Sequence, residues 1–318
     1  MRFTTVAVTI SFVAAACFQA ASDKAILQPH NVIAGMFKGI TYSPFSGSGV
    51  ALQNSEIEKH MTTMCSLTER IRLYSADGDL AAKVFTALNK VCPGMEVIYG
   101  LWHDPAQPDR LRQDKKAFLQ TMDDDSNRKR VTHVTVGNES VMKAITANGD
   151  VAAVVSTITS TIGEVRSHWA SRKWGNILVG TVDIDTTYYS HPALVEAVDF
   201  VGINIQPKFT DQVFTTGTDA AVWSFSKYGE IVSKLATKKP IVVTEIGYPT
   251  KDKTMLRNFV NALLTGASEQ GIDYCYFEFK DAGFKSGDEA TYGLFDSAGL
   301  QPKFQFNTAG QTVKSNIG

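Results

Sequence analysis

Four cysteines in 318 residues, with no Cys-x-x-Cys pair and only six scattered histidines, leave a metal ion without its usual ligand spacing, and no metal site is expected. Charge of one sign is equally scarce. The 31 Lys and Arg stand against 32 Asp and Glu, a formal net charge of −1. Nucleic acids and anionic membrane surfaces are held by an excess of cations, so neither is an expected partner. No Gly-x-Gly-x-x-Gly follows the first apolar run, Gly39-Ile40-Thr41-Tyr42-Ser43-Pro44-Phe45, which weakens a doubly wound dinucleotide fold. No cofactor is expected. No internal repeat or low-complexity linker divides the chain, and no apolar run is long enough to cross a bilayer.

The run that comes nearest lies at the start. Arg2 precedes a largely apolar stretch from Val6 to Ala16, followed by the small residues around Cys17-Phe18-Gln19-Ala20-Ala21-Ser22. That is the layout of a secretory signal peptide, expected over residues 1–20 with cleavage between Ala16 and Ala21. Cys17 leaves with it. The remaining Cys65, Cys92 and Cys275 are odd in number, so at most one internal disulfide forms, its pairing open.

What the chain does have is alternation. Eight short runs rich in Val, Ile, Thr and Tyr are separated by longer polar or amphipathic segments: Met36 to Tyr42, Glu69 to Tyr74, Met95 to Leu101, Val131 to Gly137, Ile177 to Asp183, Val198 to Ile205, Pro240 to Ile246 and Asp273 to Phe279. Near-continuous apolar content means strands covered on both faces, as in a parallel sheet. Between them, Asp79 to Val91 places Leu80, Val84, Phe85 and Leu88 at helical spacing, and Asp219 to Ala236 is a second helix candidate. Strand and helix alternating eight times over about 250 residues predicts an α/β fold, a single (β/α)8 TIM barrel.

In such a barrel the active site forms at the carboxyl ends of the strands. Two glutamates end apolar runs there: the fourth reads Val134-Thr135-Val136-Gly137-Asn138-Glu139 and the seventh Ile241-Val242-Val243-Thr244-Glu245. Either alone is equally well a strand-end acid paired with a neighbouring arginine. Together, on strands nearly across the barrel, they suit glycosidic bond cleavage, in which one carboxyl protonates the leaving oxygen and the other attacks the anomeric carbon. A separation of about 5 to 5.5 Å goes with retention of configuration.

The combination of Gly39-Ile40-Thr41-Tyr42-Ser43-Pro44, Ile71-Arg72-Leu73-Tyr74, Val136-Gly137-Asn138-Glu139, Asn204-Ile205-Gln206-Pro207, Thr244-Glu245-Ile246-Gly247-Tyr248-Pro249, Tyr276-Phe277-Glu278-Phe279 and Tyr292-Gly293-Leu294-Phe295 resembles glycoside hydrolase family 17. These are the endo-β-1,3-glucanases and related glucanosyltransferases, and the likeness is closer to cell-wall enzymes of fungi and oomycetes than to plant glucanases. It implies that residues 25–318 form the catalytic domain of a secreted, monomeric, retaining enzyme that acts on β-1,3-glucan, in the extracellular space or the wall. Glu139 would be the general acid and then base, Glu245 the nucleophile, and Asn138 the partner of the sugar 2-hydroxyl.

Supporting residues follow from the same comparison and from their strand-end positions. Arg72 is expected to hold a carboxylate with its guanidinium fork. Tyr42 and Tyr74 are expected to offer hydroxyls or stacking faces, Trp102 a stacking face, and Tyr248 and Asn204 to bind substrate. Glu278, Lys285 and Glu289 match a polar group after the eighth strand. Departures from the family pattern are concentrated in aromatics: Lys208 follows the proline of the sixth-strand motif, Tyr248 replaces a tryptophan, and Phe279-Lys280-Asp281-Ala282-Gly283-Phe284 replaces Phe-Asp-Glu followed by Trp. They bear on sugar stacking and preferred chain length, not on the glutamate pair. The sequon Asn138-Glu139-Ser140 overlaps the expected acid and is expected to stay unmodified. Transglycosylation through the same intermediate, another polysaccharide as substrate, and a catalytically retired wall-binding protein are the competing readings.

Overall fold

The computed structural model describes residues 36–306 and the short strand at 313–314. The signal-peptide expectation and residues 25–35 therefore fall outside the described part. Eight parallel strands close into a barrel: β1 Ile40–Thr41, β2 Arg70–Leu73, β3 Glu96–Leu101, β4 Val131–Val136, β5 Leu178–Asp183, β6 Val201–Ile205, β7 Ile241–Ile246 and β8 Tyr274–Tyr276. Closure is made by Ile40 of β1 pairing with Tyr276 of β8. Every strand lies within one of the eight apolar runs. A two-stranded antiparallel ribbon, β9 Gln305–Phe306 and β10 Val313–Lys314, is separate from the barrel.

The helices that follow the strands cover the outside. They are α1 Asn54–Cys65, α2 Leu80–Val91, α3 Pro108–Met122, α4 Asp125–Arg128, α5 Ser140–Thr146, α6 Val151–Ser171, α7 Asp185–Ser190, α8 Pro192–Ala197, α9 Gly217–Leu235 and α10 Lys253–Glu269. The two helices expected from spacing, over 79–91 and 219–236, are α2 and α9. Alternation along β3 shows how the core is divided. Tyr99 turns outward onto Phe85 of α2 and Phe118 of α3, with ring centroids 6.0 and 4.8 Å away, while Ile98 belongs to a second apolar cluster with Phe200, Val242 and Cys275. The open disulfide question is resolved: Cys65 at the end of α1 bonds Cys92 just past α2, and Cys275 is a free, buried thiol whose pKa burial raises.

Candidate active site

The turn after β4 presents Glu139. Gly137 (φ 82°) and Glu139 (φ 55°) both take left-handed backbone, a conformation uncommon for a non-glycine residue. Glu139 is held there by its own N–H, which donates to Val182 O at 2.8 Å, and it stands at the start of α5. The buried Asp183, at the end of the next strand, accepts the N–H of Val141 (3.0 Å) and the Thr187 hydroxyl (2.8 Å). A carboxylate from β5 thus fixes the first turn of the helix that follows Glu139.

Glu245 emerges at the end of β7, and a register shift between Ile203 and Asn204 sets it beside Asn204 of β6. Arg72, only 1% exposed, joins the two carboxylate neighbourhoods. Its Nη1 donates to Glu245 Oε1 and to Thr244 O, each at 3.0 Å, and its Nη2 to Asn138 Oδ1 at 2.7 Å. Asn204 Nδ2 donates to Glu139 Oε1 at 2.8 Å while its own Oδ1 accepts the Thr244 hydroxyl at 2.9 Å. Gln206 Nε2 reaches the other oxygen of Glu245 at 3.3 Å.

Both glutamates open into a cleft of about 960 Å³. Of the residues singled out from sequence, Tyr74, Trp102, Asn138, Glu278, Lys285 and Glu289 line it as well. Arg72 and Asn204 do not line it and reach it only through their hydrogen bonds to the two carboxylates. Two expectations do not hold in this geometry. Tyr42 is buried against α1, its hydroxyl on His60 Nδ1 at 3.1 Å and its ring centroid 5.9 Å from that of Phe279, because successive side chains of an extended chain point to opposite faces and this one points away from the cleft. Tyr248 is packed behind the cleft wall against Phe214 and Phe259, ring centroids 6.1 and 6.0 Å away, rather than lining it.

The sequence profile of the BtgE/BtgC glycoside hydrolase domain matches residues 39–294. The chain belongs to this family. It lies within glycoside hydrolase family 17, the family that its motifs resemble. The glucan endo-1,3-beta-glucosidase btgC of Emericella nidulans is 24% identical over 86% of this chain and 46% of its own. The chain spans about half the length of such fungal relatives. Among solved structures, an active-site mutant of the Rhizomucor miehei beta-1,3-glucanosyltransferase in complex with laminaritriose has a TM-score of 0.70 at 21% identity, over 89% of this chain and 99% of that one. An endo-laminarinase from Formosa has a TM-score of 0.68 at 17% identity, over 82% and 84%. These two likenesses carry the shared barrel.

Burial and then the nearby charge of Glu245 raise the pKa of Glu139, against the Asn204 hydrogen bond and the Lys143 ammonium. Glu278, 5% exposed, is pushed up to about 7 by burial, with Lys285 and Lys280 opposing. Lys143 donates to Asn138 O at 3.1 Å and lies 4.6 Å over the Trp102 ring, so one face of that indole is taken by the protein itself. Lys285 similarly covers Phe277 at 4.8 Å.

Several residues were not among the sequence expectations: Gln206, Phe209 and Phe284, which line the cleft, and the buried Asp183, which holds the start of α5. Asp183 and Gln206 end apolar runs just as the two glutamates do, and the same rule picks them out. Phe209 and Phe284, 70% and 48% exposed, line the cleft near positions where the family's usual aromatics are replaced. Lys208 itself turns away to pair with Asp288. Which of two adjacent loop residues faces inward has no periodic signal, so these could not be found from spacing.

Proposed function

We propose that the chain is a secreted, retaining β-1,3-glucan-active glycosidase with Glu139 as acid/base and Glu245 as nucleophile. The observation that carries this reading is the asymmetry of two cleft carboxyls bridged by one buried network. Glu245 has the Arg72 guanidinium as counter-charge, whereas burial and Glu245 itself favour the protonated form of Glu139. Environments that separate two carboxyls in this way suit an acid beside a nucleophile.

In the first step a Glu245 oxygen bonds the anomeric carbon as the glycosidic bond breaks, and the Glu139 proton passes to the departing oxygen. In the second, Glu139 takes a proton from water, whose oxygen displaces Glu245. A sugar hydroxyl in place of that water gives transfer instead of hydrolysis. The family membership and the glucan-directed names of relatives support β-1,3-glucan as substrate and hydrolysis or transfer as the reaction. The Cys65–Cys92 disulfide fits an oxidising compartment and so supports secretion. The intact carboxyl pair argues against a retired wall-binding protein.

Incubation of the mature protein with reduced laminari-oligosaccharides, followed by mass spectrometry, tests the reading. Shorter products alone identify a hydrolase, and products longer than the substrate identify a transferase. An unchanged series from folded protein rejects the substrate. Glu245→Ala is expected to fold and to lower turnover by a factor on the order of 10⁴ or more, and substantial residual turnover removes it as nucleophile.

A further inference from the structure

The cleft does not stop at the rim beside Trp102. Phe45, Asp77 and Arg110 are walls both of the cleft and of a second hollow of about 550 Å³, which runs on past Gly78 and Asp79 to Lys83 on α2 and Gln113 on α3. By contrast, the hollow beside His60 shares no wall residue with the cleft.

The divide between the two spaces is firmly built. Arg110 pairs with Asp77 and lies 3.7 Å from Asp114, and Asp114, 2% exposed, accepts the N–H of Trp102 at 2.8 Å. The floor of the hollow is therefore tied to the residue that flanks the candidate site. Its lining mixes carboxylate, guanidinium, amide and ammonium groups with the apolar faces of Phe45, Ala51 and Leu80. Groups that both donate and accept, set among apolar patches, match pyranose rings with hydroxyls on their edges. The charges come close to balance, which favours a neutral polymer over a polyanion.

We propose that this side groove binds further glucosyl units of the same linear β-1,3-glucan chain whose reacting bond lies at Glu139 and Glu245. The inference rests on the glucan reading above and extends it. Efficiency then rises with chain length beyond what the cleft alone holds, and the groove sets that dependence.

The test is kcat/KM across a reduced laminari-oligosaccharide series for wild type, for Lys83→Ala combined with Gln113→Ala, and for Ala51→Trp, which fills the groove from an exposed position. In both variants the ratio of kcat/KM on the longest to that on the shortest cleaved oligomer is expected to fall about five- to tenfold, the worth of one or two hydrogen bonds or a blocked subsite. An unchanged ratio, or the same fractional loss at every length, overturns the groove while leaving the glucan reading in place. Wild-type protein that cleaves none of the series overturns both.

Discussion

At Glu139 burial and four neighbours set the proton, Asp183 adding to the effect of Glu245. Burial and Glu245 favour keeping it, while the Asn204 amide and the Lys143 ammonium favour losing it. A general acid must carry its proton, so activity falls as pH rises through its pKa, and the raised value puts that alkaline limb above the ordinary carboxylic range. Lys143 is the neighbour that can be changed without removing a direct partner of the carboxyl. Replacing its ammonium with the neutral Lys143→Met takes away a charge that stabilises the carboxylate. The alkaline limb of kcat/KM on a laminari-oligosaccharide is expected to move to higher pH, and Lys143→Arg to leave it near the wild-type position. An unmoved limb in the methionine variant would mean that the limb reports some other group, and Glu278, pushed up to about 7, would be the next to test.

At the scale of elements, the turn from β4 into α5 is the most constrained part of the site. A Cβ on Gly137 would lie 2.7 Å from Ser140 Oγ, and the Ser140 hydroxyl is already committed to His103 O at 2.8 Å. Gly137→Ala must also enter left-handed backbone, at a cost of about 1–3 kcal/mol. Because Glu139 is only two residues on, kcat is expected to fall more than the modest loss of thermal stability accounts for, with KM little changed. Thermal melts and steady-state kinetics together check this, and a variant of normal kcat would show that the turn tolerates displacement of the acid. The same elements explain what was legible beforehand. Parallel strands buried on both faces leave apolar runs that any reader can count, and a carboxyl at the end of such a run stands out, which is why all eight strands and the placement of Glu139 and Glu245 in one cleft could be anticipated. Tyr42 packs on His60 and Phe279 instead of lining the cleft, because an apolar run buried on both faces does not show which of its alternating side chains points inward. Asp77, in a turn, and Arg110, in the first turn of α3, meet only through folding, and no spacing in the chain marks the pair.

At the scale of the whole molecule, the disulfide links the first two outer helices and closes a loop of sequence separation 27. On the chain-entropy account a loop of that length stabilises the fold by about 3.5 kcal/mol. Cys65→Ser combined with Cys92→Ser is therefore expected to lower the melting temperature by several degrees. The third thiol makes the same chemistry a test of maturation. Cys275 is wholly buried, so a thiol reagent is expected to leave it untouched in the folded protein. Denatured without reductant, a chain that has lost its leader should show one reactive thiol, Cys275, and after reduction three, since Cys17 of the original four is gone. A chain that keeps residues 1–20 should show two and then four. Titration of the secreted protein before and after reduction thus reads the pairing and the leader from one sample: the first count fixes whether Cys17 remains, and the rise on reduction fixes whether Cys65 and Cys92 were bonded. A first count of three with no rise would dissolve the staple, and with it the structural support for an oxidising compartment.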